Sequence, residues 1–191
     1  MEKFQKKLDP FDYNAFFSSP TNFFAGTTDV ETGKPVFWGK ENIDENLAVI
    51  KASCALPVMA TMVPIQGRPY LDGGVSAPIP FQKALDDGCE HLIIVLTQPR
   101  GYQKQPQSMR GIYRAWYRKY PALVQAINNR HLVYNNSLVK IAQLEKEGLA
   151  TIIAPDAPLT ADRFGKDKDA LIDSYNIGFS TGQKATASFS F

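Results

Sequence analysis

The stretch GRPYLDGGVSAPIPFQKALDDGCEHLIIVLTQP, residues 67–99, puts one carboxylate at the mouth of an apolar run and follows it with two glycines. A carboxylate at the end of a strand works as a general base when a nucleophile's hydroxyl lies within hydrogen-bond reach. Glycines beside it let the backbone turn sharply and let another group come close. Asp72 is therefore the first candidate for chemistry, as a base, with Gly73 and Gly74 as the turn that aims it. The plainer reading is an aspartate that caps a tight turn, as Asp-Gly pairs commonly do.

A base needs a nucleophile. One segment, GFSTG at 178–182, fits the G-x-S-x-G pattern of a hydrolase elbow. An elbow follows an apolar strand and opens a helix, whereas LIDSYNI ahead of this segment is helix-like, so GFSTG reads as a helix break or loop. Ser18, Ser19 and Ser53 precede Asp72, and none is flanked by the glycines an elbow requires. Of the two histidines, His91 opens an expected strand and His131 follows Asn-Asn-Arg in an expected loop; both read as structural or solvated. Cys54 and Cys89 lack metal-ligand spacing and read as reduced thiols of a cytosolic chain. No metal and no organic cofactor is implied.

The elements that must position Asp72 alternate in type. NFFAGTTDVETGKPVFWG predicts two strands around a turn near Thr32-Gly33. NIDENLAVIKASCA has helical spacing at Ile43, Leu47, Ile50 and Ala52. RPYLD predicts a short strand, and PFQKALDDG a helix with Gly88 as its C-terminal cap. HLIIVLTQP, an unbroken β-branched and leucine run, predicts a strand buried on both faces, and LATIIAPD another buried strand. Further helices are expected over 110–128, 138–147, 169–176 and 182–188. Strands separated by helices predict an α/β fold with a mostly parallel sheet, whose sites lie beyond the carboxyl ends of the strands.

Charge is unevenly placed. No acidic residue lies between Glu90 and Glu145, while Arg100, Lys104, Arg110, Arg114, Arg118, Lys119, Arg130 and Lys140 do. Arg110, Arg114 and Arg118 repeat every four residues and share a helix face, with Tyr113, Trp116, Tyr117 and Tyr120 interleaved. The plain reading is a solvated basic face over an aromatic core stripe. The sharper one is peripheral docking on an anionic membrane, where Trp and Tyr suit the interface. Nucleic acid would be a third partner, but no recognition motif accompanies the charges.

The whole chain bounds these readings. Its 191 residues suffice for one domain with a sizeable core, and a net charge of +2 names no partner. The opening MEKFQKKLDP lacks the apolar region of a signal peptide. The uncharged run over 52–66 is too short to span a bilayer and holds Pro57 and Pro64. The expected location is the cytoplasm, with peripheral membrane contact if the basic segment docks.

The order of these segments resembles patatin-like phospholipases. The resemblance runs from about Phe11 to the C-terminus and is most specific over 51–99, where Ala52, Ser53, Ala55 and Pro57 match an A-S-x-A-x-P segment ahead of a strand ending in D-G-G. It implies a three-layer α/β/α sandwich with a mostly parallel sheet, present here as a single, N-terminally incomplete domain over 1–191, the C-terminal two-thirds of its kind. It also implies hydrolysis of lipid acyl esters by a Ser-Asp dyad in which Asp72 is the aspartate. The family's serine elbow and glycine-rich oxyanion turn lie upstream of this region, and neither is found before Asp72. The rival is a lipid- or protein-binding domain that keeps the fold without the serine.

Overall fold

A computed structural model describes residues 11–44, 46–162 and 165–187. The N-terminal decapeptide read for a signal peptide, and Ser188 at the end of the last expected helix, lie outside the described residues. The chain divides into two compact units, Met1–Ala77 with Met109–Asn128, and Pro78–Ser108 with Asn129–Phe191.

The first unit holds α1 (Tyr13–Ser18) and a four-stranded sheet of β1 (Phe24–Asp29), β2 (Pro35–Gly39), β3 (Val63–Ile65) and β4 (Arg68–Asp72). The order is β2-β1-β4-β3 and every pairing is antiparallel. Two tight turns impose this on the β1–β2 and β3–β4 pairs, because short hairpin loops join only antiparallel strands. In the β1–β2 hairpin, Asp29 Oδ1 accepts the Glu31 and Thr32 amides at 2.9 Å each, and Gly33 takes the left-handed φ of 67°. In β3–β4, Gln66 and Gly67 both have positive φ (51° and 79°), the backbone a two-residue hairpin turn requires. Helix α2 (Ala48–Ser53) lies between the hairpins in sequence.

Strand β4 is buried on both faces. Successive strand residues point to opposite sides, so Tyr70 packs with Trp38, Val49, Ala52 and Ile65 while Leu71 packs with Val30, Val75, Tyr113, Tyr117 and Leu123. The Trp38 and Tyr70 rings meet edge to face at 5.2 Å. The second cluster draws Tyr113 from α4 (Arg110–Trp116), Tyr117 from the turn after it, and Leu123 and Ile127 from the start of α5 (Pro121–Lys146).

The second unit contains α3 (Phe81–Asp86), β5 (Leu92–Val95), the remainder of α5, β6 (Ala150–Ile153) and α6 (Lys168–Thr186). Strands β5 and β6 form a parallel pair with Leu92 opposite Ala150. Leu92, Ile94, Ala150 and Ile152 enter a core with Ile79, Phe81 and Ile141. Gly88 follows α3 with φ 85°, as expected of a C-terminal cap.

The expected three-layer sandwich with a mostly parallel sheet is not what the chain forms. The larger sheet is wholly antiparallel, and the only parallel pairing among the described residues is β5 with β6. The double burial expected of HLIIVLTQP also fails: Ile93 and Val95 are 55% and 71% exposed, alternating with buried Leu92 and Ile94. The helix expected over 110–128 breaks after Trp116, and α5 restarts at Pro121, a residue suited to a first helical turn. From there α5 runs unbroken through 129–137, so His131 is helical rather than in a loop. Among the described residues, no helix is long and apolar enough to cross a membrane.

Candidate functional site

Asp72 is the last residue of β4, opposite Thr27 of β1. Its backbone is held on two sides: its amide donates to the Ala55 carbonyl at 2.9 Å, and its carbonyl accepts the Thr28 hydroxyl at 2.8 Å. Its carboxylate Oδ1 accepts the Gly74 amide at 2.6 Å, capping the 3-10 turn Gly73–Val75. The turn-capping role is therefore real. The side chain is half-buried, and none of the ion pairs among the described residues engages it.

Gly73 serves by its lack of a side chain. A Cβ there would lie 2.3 Å from the Gly26 carbonyl oxygen of β1, and Gly73 is not among the glycines with positive φ. It fits because backbone packs on backbone. Gly74 supplies the amide that orients the carboxylate. The two glycines thus hold Asp72 in place by close approach and by a donor rather than by a left-handed turn.

The loop 54–60 borders the site through Ala55. Val58 in it has φ 69°, a left-handed backbone that is costly for a β-branched residue. Its amide donates to the buried Tyr117 hydroxyl at 2.7 Å, which holds the strained residue in place. Met59 beside it is 67% exposed. The exposed Cys54 stands within the field of Asp72: desolvation first, and then the Asp72 charge, push its thiol above the ordinary value. That makes the sulfur a poor nucleophile, since the thiolate is the reactive form.

No serine of the first unit touches the carboxylate. Ser76 shares a 2.8 Å hydrogen bond with Thr28. Ser180 lies well inside α6, its hydroxyl donating to the Ile177 carbonyl at 3.0 Å, so GFSTG is neither an elbow nor the helix break expected of it. His91 is structural as expected, with its ring nitrogens 3.2 Å from the Gly148 carbonyl and 3.1 Å from the Thr151 hydroxyl. Among the described residues, no three His, Cys, Asp or Glu side chains gather to hold a metal ion. A groove of about 420 Å³ lined by Ile79, Phe81, Leu92–Thr97 and Tyr134 belongs to the second unit, not to the Asp72 site.

Sequence reasoning did not single out Val58, Tyr117 as its partner, or Thr28. The bond from Val58 to Tyr117 spans 59 residues and no local pattern announces it. The cluster of Thr27, Thr28 and Asp29, polar residues buried in a strand, was the available signal: such groups are buried only when hydrogen-bonded.

Two matches to known proteins bear on this chain. The profile of a domain of unknown function, DUF6363, matches residues 120–190, which takes in α5, β6 and α6. The chain is also 29% identical over 135 residues to the uncharacterized protein YjjU of Escherichia coli (strain K12), an alignment covering 69% of this chain and 38% of that relative. The chain thus spans well under half the relative's length. These matches overturn the reading of the chain as a patatin-like phospholipase: what it is similar to is a domain of unknown function and an uncharacterized protein, and neither points to that family.

Proposed function

We propose that Asp72 is the general base of a serine-dependent lipid acyl hydrolase whose nucleophile is supplied by polypeptide outside these 191 residues. The observation that carries this reading is the state of the Asp72 carboxylate. It is oriented by the Gly74 amide at 2.6 Å and fixed on a turn packed against Gly26, yet no ion pair among the described residues neutralises it. In this scheme the serine oxygen bonds to the ester carbonyl carbon while its proton passes to Asp72. Collapse of the tetrahedral intermediate breaks the ester C–O bond, and the departing alcohol takes that proton. Water then repeats the sequence on the acyl-serine, releasing the acid and restoring both groups. The donors that hold the oxyanion would come with the serine's segment.

The second reading, a lipid- or protein-binding domain without catalysis, is favoured by one observation: Ser76, four residues after Asp72, has its hydroxyl engaged with Thr28. Asp72→Asn separates the readings. The amide oxygen still accepts from Gly74, so the cap survives while the base is lost. In the natural polypeptide carrying this chain, the variant should melt like the wild type and lose turnover of a short-chain p-nitrophenyl ester. A fluorophosphonate should label a serine outside residues 1–191. Retained turnover, or an adduct on Ser53, Ser76 or Ser180, would sink the proposal.

A further inference from the structure

Residues 109–119 of the basic segment sort into distinct sides of one short helix and the turn after it. Tyr113 and Tyr117 point into the core of the first unit. At about 3.6 residues per turn, Met109, Ile112 and Trp116 line one shoulder of α4 and its cap, and they are 47%, 50% and 67% exposed. Arg110 and Arg114 line the other shoulder, Arg118 and Lys119 follow in the turn beyond, and all four are exposed. No ion pair among the described residues involves any of them. Between the shoulders, the exposed Gly111 and Ala115 leave the outward surface low.

We propose that α4 with its flanking turns is a peripheral docking surface for anionic bilayers. The suggestion that its ligand is also the substrate rests on the function proposed above; the docking itself does not. Charge selects the occupant. Four uncompensated cations beside three large apolar side chains would be costly to bury against protein, where each charge needs a partner. At a bilayer the same cations meet anionic headgroups, long arginine side chains reach sideways to them, and Trp and aliphatic groups enter the boundary. Ile112 and Met109 favour lipid over nucleic acid, for which aromatic stacking and basic groups suffice without aliphatic insertion. The surface also adjoins the candidate site: Tyr117, directly after α4, holds Val58, and the same loop holds Asp72 through Ala55.

The test uses intrinsic fluorescence. The chain has two tryptophans, Trp116 being exposed and Trp38 buried. Titrating the 191-residue chain with phosphatidylcholine vesicles containing phosphatidylglycerol should shift Trp116 emission to the blue, with much less effect from phosphatidylcholine alone. Rising salt should reverse the shift, since surface charge is screened over about 10 Å at 0.1 M. Neutralising Arg110, Arg114 and Arg118 to Ala should weaken binding roughly a hundredfold, at about fivefold per basic residue. Ile112→Ser should bind with a smaller blue shift. Asp72→Asn should bind as the wild type does, so failure of the catalytic proposal leaves this one standing. Equal response to neutral and anionic vesicles, no response at low salt, loss of binding in Asp72→Asn, or tighter binding to duplex DNA than to anionic vesicles would each overturn it.

Discussion

Gly73→Ala is the sharpest test of how Asp72 is held. The new Cβ would stand 2.3 Å from the Gly26 carbonyl oxygen and 2.5 Å from its carbon, with the Thr27 nitrogen at 3.1 Å. Real Cβ atoms essentially never approach within 3.0 Å, so about 0.7 Å of movement is required. The obstacle is main chain of β1, which pairs with β2 on one side and β4 on the other, so it cannot swing aside as a side-chain tip can. Overpacking of this kind costs about 1–3 kcal/mol. Reduced freedom of the unfolded chain returns about 0.4–1 kcal/mol. At the midpoints of these ranges the net loss is about 1.3 kcal/mol, or a fall of roughly 3–5 °C in melting temperature for a chain of this size. Gly111→Ala is the control. Gly111 lies in α4 with nothing within 4 Å of the position its Cβ would take, and the same substitution there should stabilise by about 0.5–1 kcal/mol. Urea melts of both variants, followed by Trp38 emission and circular dichroism, should move in opposite directions. If Gly73→Ala melts with or above the wild type, the argument that Gly73 exists to admit the β1 backbone is wrong.

Tyr117→Phe removes the acceptor of the Val58 amide and leaves that donor unpaired, at a cost of about 1–3 kcal/mol. The loop is also freed to leave its left-handed φ, so hydrogen exchange at the Val58 amide should accelerate more than at the β1 amides; uniform acceleration would contradict a local hold. In the second unit, the Glu145 carboxyl is held below its ordinary value. Hydrogen bonds from Arg100 at 2.7 and 2.8 Å are the main cause, desolvation opposes them, and the Ile152 amide at 3.0 Å assists. A depressed carboxyl pKa gives stability that is full above the ordinary value, 4.5, and is lost as pH falls through the lower folded value. Glu145→Gln should therefore be less stable than the wild type at neutral pH, and the gap should narrow below about pH 4.5. A gap independent of pH between about 6 and 3 would refute the assignment.

What could be read in the sequence was local. The Thr32-Gly33 turn, the strand ending at Asp72 and the Gly88 cap depend on neighbours within a few positions, where turn residues and hydrophobic runs speak directly. Partner choice was not legible. HLIIVLTQP is the sequence of a strand, but whether Ile93 and Val95 are covered depends on what packs across from them. The β3–β4 hairpin was missed because its turn is Gln-Gly, with Gln66 in a left-handed backbone that its side chain does not advertise. The break at Tyr117 was missed because periodicity runs straight through it: Tyr113 and Tyr117 keep helical spacing while the backbone turns.

The question raised by D-G-G turns on two roles that one residue can hold at once. As a cap, Asp72 needs only an acceptor atom near the Gly74 amide, and Asn would serve. Capping alone does not account for the surroundings. Both faces of β4 are buried, so its end cannot drift. Gly73 locks the turn to β1, and Ala55 and Thr28 grip the Asp72 backbone from two other segments. Beside this sits Val58 in a strained backbone, retained because the Tyr117 hydroxyl holds it. Strain of about 1–3 kcal/mol persists only where surrounding structure over-determines it, and it clusters where geometry matters to function. A turn cap on a solvent-facing hairpin needs none of this. Under the function proposed above, a carboxylate that must meet an incoming proton at a fixed place would use all of these holds, with the cap bond as one of the means of fixing it.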